Sequence, residues 1–354
     1  MNYIGSKYTL LPFLETVFRQ VAEGDEKVFC DLFAGTGAVG RHFKGLGLRV
    51  IANDLQYYAY ALNKAYLEIN EPPDFKELRA HFAEQMAEYH SICSHPINEV
   101  LAFINDLSGV AGFITENYSP AGGRLYYTEQ NARKADAVRQ AIEQWRAADL
   151  ITEQEYFYVL CSLLEAIDRV ANTASVYGAF LKQFKASAEK PLRLKALELT
   201  NHVRGCLATQ RNANDLITEI DCDVLYLDPP YNHRQYGANY HVLETIAAYD
   251  DPRLKGITGM RDYVRSDYCR RRSARHAMEH LIRHAQAKHI LVSYNDEGVM
   301  TLDELQGLLS LRGEPKTFKT TYSRFKADRE REYKRSSTVE YIHYIRVIKS
   351  AGAL

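Results

Sequence analysis

Leu227-Asp228-Pro229-Pro230-Tyr231 sets a carboxylate, two prolines and a ring in a row, at the end of the apolar run Val224-Leu225-Tyr226-Leu227. Prolines fix φ and remove two donors, so the nearby carbonyls meet no competing N–H. The result is a rigid pair of acceptors, the Asp228 carboxylate and the Pro229 carbonyl, followed by an aromatic face. Such an array suits an amino group on a flat heterocycle: the acceptors take its two N–H bonds and Tyr231 stacks on the ring plane. A second stretch, Cys30-Asp31-Leu32-Phe33-Ala34-Gly35-Thr36-Gly37, closes one apolar run and opens a helical one. Its glycines let the backbone turn tightly and approach a ligand closely. Gly35 to Gly40 also match the dinucleotide fingerprint, and Asp54 follows Gly35 by 19 residues, where a carboxylate can accept both hydroxyls of a ribose. That pattern alone suits NAD and S-adenosylmethionine equally. Asp31 separates them, because a carboxylate before the turn would repel a pyrophosphate but suits a ligand with ammonium and sulfonium charges.

The surrounding elements have to bring these stretches together. Residues 8–22 place Leu10, Leu11, Leu14, Val17, Phe18 and Val21 at helical spacing. KVFCDLF, 27–33, reads as a buried strand and 38–46 as a helix. LRVIAND is a second strand ending at Asp54, followed by a helix over 55–69. This alternation is the pattern of a doubly wound parallel sheet. From about 71 to 200 the pattern turns helical, over 73–92, 97–106, 129–147 and 153–171, with the glycine-rich loop ENYSPAGGRLYYTEQN between the second and third. Strand patterns resume at 223–228, 288–294, 316–322 and 338–348. The spacing therefore predicts a core of residues 1–70 and 201–354 with a mostly helical domain, 71–200, inserted. Ligands in open sheets lie beyond the carboxyl ends of strands, and Asp31, Asp54 and Asp228 all fall at such ends.

The totals set limits. The 354 residues are 46% apolar and 25% charged, a globular composition with ample core. No window approaches eighteen consecutive apolar residues, and the first residues hold no apolar signal core. The six cysteines are scattered with no C-x-x-C pair, which points away from a disulfide scaffold or a zinc ribbon and toward a metal-free protein of the reducing cytoplasm. A net charge of −1 leaves any nucleic-acid site to a local patch.

FAGTG, AND and DPPY, in this order, resemble the Dam-like (alpha-class) DNA adenine-N6 methyltransferases. Tyr3-Ile4-Gly5-Ser6-Lys7 is similar to the N-terminal cofactor segment of that class, with Tyr3 where relatives often have Trp. Asn214-Asp215-Leu216 is similar to its adenine-contacting segment. FITENYSP, RLYYTEQNARKADAVR, YNHRQYGANYH and YSRFKADRE resemble the branch of modification enzymes of type IIS restriction systems, and the likeness spans essentially the whole chain. It implies a Rossmann-like S-adenosylmethionine-dependent fold, α/β with a seven-stranded mixed sheet, and methyl transfer to N6 of a flipped adenine in double-stranded DNA beside a cognate restriction endonuclease. Tyr3 and Lys7 would then meet the methionine end of the donor. Asp31 would bind its ammonium, Phe33, Gly35 and Gly37 would line its floor, Asp54 would hold the ribose and Asp215 the donor's adenine ring. Asp228, Pro229, Pro230 and Tyr231 would hold the target base, with Asp228 also bordering the donor. Competing readings are RNA adenine methylation, protein glutamine methylation, a DNA-binding protein without catalysis, and an NAD oxidoreductase. The glutamine enzymes usually carry Asn where this chain has Asp228, the inserted domain favours duplex DNA over RNA, and the intact motif argues against lost catalysis.

For DNA contact, the loop residues Asn117, Tyr118, Arg124 and Tyr126 are the expected sequence reader, since Arg and Asn suit bidentate pairing to guanine and adenine edges. Basic stretches around Arg271 (Arg270, Arg272, Arg275), around Arg324 and Lys326, and from Lys182 to Lys195 are expected phosphate contacts. The run after Tyr231, with His233, Gln235, Tyr236 and Asn239, reads equally as a cover over the flipped base and as a loop entering a helix. Ser293-Tyr294-Asn295 ends another strand on the same edge.

Overall fold

The computed structural model describes residues 7–200, 203–233, 235–296, 298–323 and 337–348. Tyr3, Arg324 and Lys326 lie outside them. The chain divides into two compact units, one of residues 4–63, 202–236 and 264–354, the other of 1–3, 64–201 and 237–263.

The first unit is a sheet of seven strands: β1 Val28–Asp31, β2 Arg49–Asn53, β3 Leu207–Thr209, β4 Asp221–Leu227, β5 Gln286–Asn295, β6 Lys316–Ser323 and β7 Ser337–Arg346. Their order is β3-β2-β1-β4-β5-β7-β6. The first five run parallel, and β7 enters antiparallel between β5 and β6. This is the mixed α/β sheet that the sequence pattern and the resemblance imply. Strands covered on both faces need apolar side chains on both, which is why β1 and β4 read as continuous apolar runs rather than alternations. Phe29, Cys30, Val224, Leu225 and Leu227 are all fully buried. Asp223 fixes the start of β1 by accepting the amides of Lys27 and Val28, each at 2.8 Å. After β1 the chain moves outward to β2 and β3, and after β3 it returns to lay β4 on the other side of β1. That reversal puts a crevice at the tips of β1 and β4, with Asp31 registered beside Tyr226.

Helices cover the sheet. Ala38–Gly45 stacks Phe43 on Phe29 with ring centres 3.9 Å apart. Arg271–His284 buries Ala274, Met278, Leu281 and Ile282, so the basic stretch at Arg270 to Arg275 is the start of an amphipathic helix. The segment 55–69 begins as the α-helix Tyr57–Asn63 and continues as a π-helical turn, Lys64–Glu68.

The second unit is helical. Glu153–Arg169 forms its centre, capped by Thr152 and Glu155 in a reciprocal capping box and buried on most of its circumference. Asp136, inside the helix Glu129–Ala147, accepts the amides of Ile114 and Thr115 (3.0 and 2.7 Å) and so caps Phe113–Tyr118. The segment 237–263 belongs here rather than with the sheet, a difference from the predicted boundary at 201. Its helix His241–Ala248 buries Val242, Leu243 and Ile246, Tyr249 donates to Asp136 (2.9 Å), and His241 Nε2 lies 3.0 Å from the Tyr177 carbonyl. Those anchors come from tertiary packing and leave no mark in local periodicity.

Candidate active site

At the tip of β1 the chain makes its first sharp turn. Gly35 and Gly37 take φ of +52° and +78°, which a side chain rarely adopts. A Cβ on Gly37 would stand 2.7 Å from Asn63 Oδ1. Asn63 earns that closeness by donating to the Gly35 carbonyl at 3.0 Å, which ties the turn to the helix Tyr57–Asn63. Asp54, past the tip of β2, accepts the Gly35 amide at 2.8 Å and the Gln56 amide at 2.9 Å through different oxygens. Each oxygen keeps a further lone pair, the acceptor capacity that a ribose diol needs. Asn53, which no motif flagged as structural, ties three segments together: its amide donates to Leu32 and Arg211 carbonyls and its oxygen accepts the Arg211 amide.

Asp31 is 1% exposed, and neither carboxylate oxygen has a hydrogen-bond partner. Burial raises its pKa well above the ordinary value, and the charges of Asp228 and Asp54 push the same way. The Phe33 and Gly40 amides oppose this without completing a hydrogen bond. A buried carboxylate held without a donor suits a cation.

Asp228 stands beyond the last residue of β4. Lys7 Nζ approaches its Oδ1 at 3.2 Å and Glu340 Oε2, on β7, at 3.6 Å, so the ammonium expected at the donor's methionine end is paired with the carboxylate of the Asp-Pro-Pro-Tyr motif instead. The Asp228 contact is an ion pair without hydrogen-bond alignment. Burial pushes the Asp228 carboxyl up to about 6; Lys7 pulls it down and Glu340 pushes it further up. Burial alone would lower the Lys7 ammonium, but Asp228, Tyr231 and Glu340 outweigh it and hold it well above its usual value. The ammonium also lies 5.5 Å from the centre of the Tyr231 ring. Tyr231 is fixed from behind: its carbonyl accepts the Val299 amide at 2.7 Å and Tyr294 meets its ring edge-on at 5.8 Å. Tyr226 and Ser293, under the site, share a 2.7 Å hydrogen bond. Pro229 and Pro230 close β4, with all peptide bonds trans among the described residues. The tips of β1, β2 and β4 thus gather three carboxylates, a tight glycine turn and an aromatic face. Chemically, one buried acid awaits a cation and a second, with a ring next to it, awaits an amino-bearing plane.

A family model for D12 class N6 adenine-specific DNA methyltransferases matches residues 3–307. The chain belongs to that family. Type II methyltransferase M.NlaIII of Neisseria lactamica is 44% identical over 98% of this chain and 99% of its own length. Type II methyltransferase M.FokI of Planomicrobium okeanokoites is 39% identical over 98% of the chain, which spans 52% of that longer protein. Type II methyltransferase M.CviAII of Paramecium bursaria Chlorella virus 1 is 31% identical over 92% of the chain. The resemblance carried by FAGTG, AND and DPPY is therefore borne out, and the chain is an adenine-specific DNA methyltransferase among relatives from restriction–modification systems. The NAD, RNA, glutamine and non-catalytic readings fall away.

As a D12 methyltransferase the chain needs surfaces for DNA, and the residues proposed from sequence take different places. Tyr118 is fully buried, its hydroxyl donating to the Gly259 carbonyl at 2.9 Å. Arg124 donates to the carbonyls of Ile257 (3.0 Å), Asn117 (2.9 Å) and Gly256 (3.3 Å). Tyr126, also buried, points its hydroxyl at the Tyr177 and Thr258 carbonyls. The Asn117 amide donates back to Phe113 within its own helix. The side chains of Tyr118, Arg124 and Tyr126 hold the turn 256–259, so the buried Tyr118 and Tyr126 stand as supports where base readers were expected. Arg271 donates to the Val299 carbonyl at 3.0 Å and pairs with Glu304 at 3.2 Å, which braces the segment behind Tyr231. Asp215 is exposed at the start of a short helix, while its neighbour Asn214 holds that helix to Tyr268 and the Ala277 carbonyl. Phe33 is half-buried, its ring edge-on to Tyr268 at 5.0 Å. Gln235 and Ser266 exchange two hydrogen bonds, which pins the run after Tyr231. Sequence reasoning missed Glu340 altogether. A lone Glu on a late strand carries no motif, and only the fold brings it to Lys7.

No described helix is long and apolar enough to cross a membrane, and no described group of three His, Cys, Asp or Glu side chains could hold a metal ion.

Proposed function

We propose that this methyltransferase moves a methyl group from S-adenosylmethionine to the N6 amino group of an adenine swung out of double-stranded DNA at one defined sequence. It would do so in the cytoplasm, as the modification partner of a restriction endonuclease. The observation that carries the donor is Asp31, buried with both oxygens lacking a donor beside a turn whose glycine leaves no room for a Cβ. That setting fits a ligand with a cationic amino-acid end. Asp31 would take the ammonium, Phe33, Gly35 and Gly37 the floor, Asp54 the ribose and Asp215 the donor's adenine ring. When bound, S-adenosylmethionine would supply an electrophilic methyl group whose bond to sulfur breaks as the bond to N6 forms, leaving the neutral thioether S-adenosylhomocysteine, while N6 gives up one proton. Tyr3, outside the described residues, keeps its proposed place at the methionine end.

The chain's own residues act on the target base. The exocyclic nitrogen of adenine is a poor nucleophile because its lone pair is delocalised into the ring. Asp228 and the Pro229 carbonyl would accept its two N–H bonds and favour a tetrahedral nitrogen whose lone pair is free to attack. Alignment and fixed charges supply the acceleration, and no covalent enzyme intermediate is needed. Flipping the base costs a few kcal/mol. Stacking on Tyr231 would return on the order of 1–3 kcal/mol. The helical unit is the proposed target-recognition part, through the turn that Arg124 and Tyr118 support. There Ile257 is 85% exposed and Arg253 and Lys255 are exposed beside it. Arg271, Arg324 and Lys326 remain proposed phosphate contacts.

Expression in a host that lacks adenine methylation, followed by long-read mapping of modified bases, tests this function. N6-methyladenine at one short motif is the expected result. Its absence from every motif would overturn it.

A further inference from the structure

Lys7 and Glu340 are both buried in the sheet unit, their side chains 5% and 10% exposed. No hydrogen bond reaches Glu340 Oε2, and the cation beside it is the Lys7 ammonium at 3.6 Å. The same ammonium is 3.2 Å from Asp228 and 5.5 Å from the Tyr231 ring centre. A donor group against Asp228 and near Tyr231 is where the adenine amino group is proposed to bind. The two cannot share Asp228 on equal terms. The attacking nitrogen gains positive charge, and an ammonium at the same carboxylate opposes that gain.

We propose that Lys7 has two seats, Asp228 before the base arrives and Glu340 afterwards, and that Glu340 is a positioning residue which draws the ammonium aside. The proposal rests on Asp228 being the acceptor of the adenine amino group. The move is short, because Nζ already stands between the two carboxylates at nearly equal distances. Without a second seat the displaced ammonium would be a buried charge without a counter-ion, which is costly. The charged and titratable groups around Lys7 are Asp228, Tyr231 and Tyr226 on β4 and beyond its tip, and Glu340 on β7, with Asp228 acting in turn on Asp31 of β1.

Glu340→Gln keeps the shape and removes the charge. The ammonium then stays on Asp228, so the KM for DNA should rise about tenfold while S-adenosylmethionine affinity holds. The acid limb of kcat/KM should move to lower pH, because Asp228 loses the neighbouring negative charge that raises it. Adding Lys7→Met to Glu340→Gln should recover part of the lost DNA KM, since no ammonium is left to obstruct Asp228. A wild-type KM and acid limb in Glu340→Gln, or a double variant that binds DNA worse than Glu340→Gln, would overturn the two-seat proposal. Asp228→Asn separates the layers. If it methylates normally, the placement of adenine at Asp228 is wrong. If it is inactive while Glu340→Gln matches wild type, only the role of Glu340 fails. Should Glu340→Gln unfold below the assay temperature, Glu340→Asp decides, with a raised DNA KM in support and an unchanged one against.

Discussion

Asp31 and Asp228 sit at the ends of adjacent strands, and in both burial raises the carboxyl above its ordinary value. For Asp228, at about 6, the acceptor form is the carboxylate, so activity should fall about tenfold per pH unit below that point and level off above it, as read in kcat/KM against pH. The effect on stability runs the opposite way. An acid whose folded pKa is raised contributes stability below its unfolded pKa and loses it as pH climbs through the folded value. Asp31 is then a cost to the fold at neutral pH, offset only when a cation binds. Asp31→Asn should therefore raise Tm by about 2–4 °C at pH 7.5 while removing S-adenosylmethionine binding, the two read by scanning and titration calorimetry. A lower Tm would mean that Asp31 is a structural acid instead. Sequence made these residues legible because a carboxylate at a strand end has few structural duties. Glu340 escaped notice because its meaning depends on Lys7, which lies more than three hundred residues away along the chain.

The glycine turn and the 256–259 turn show how elements set the side chains. Gly37→Ala would bring a Cβ to 2.7 Å from Asn63 Oδ1 at a φ of +78°. About 1–2 kcal/mol of backbone strain should add to a broken Asn63 anchor, with loss of S-adenosylmethionine binding. Gly47→Ala is the control: its φ is +95° with nothing within 4 Å, so urea unfolding should show the strain while donor binding survives. On the helical side, Arg124→Ala removes two hydrogen bonds to the 256–259 turn and a third to the Asn117 carbonyl. The KM for DNA should rise severalfold in steady-state assays with donor affinity unchanged. Strand and helix patterns told most of the core, because β1, β2, β4 and β5 are apolar runs bounded by turn residues. The three-residue β3 is too short to show a period. Arg124 and Tyr118 have the composition of base readers, and only tertiary packing shows that carbonyls occupy their donors. The same packing draws 237–263 into the helical unit.

At the scale of the whole molecule, a net charge of −1 leaves any grip on DNA to local patches. DNA affinity should fall steeply and linearly on a log–log plot against salt, while S-adenosylmethionine affinity stays nearly flat. Two compact units suit that division of labour, one carrying the carboxylate crevice and one the supported turn. All of it depends on the tip of β4 being the place where adenine is held. The most direct measurement is transfer of a radiolabelled methyl group to unmethylated duplex DNA by Asp228→Ala, with donor binding followed by titration calorimetry. No incorporation, with donor binding close to wild type, is the expected result. Incorporation at the wild-type rate would contradict it.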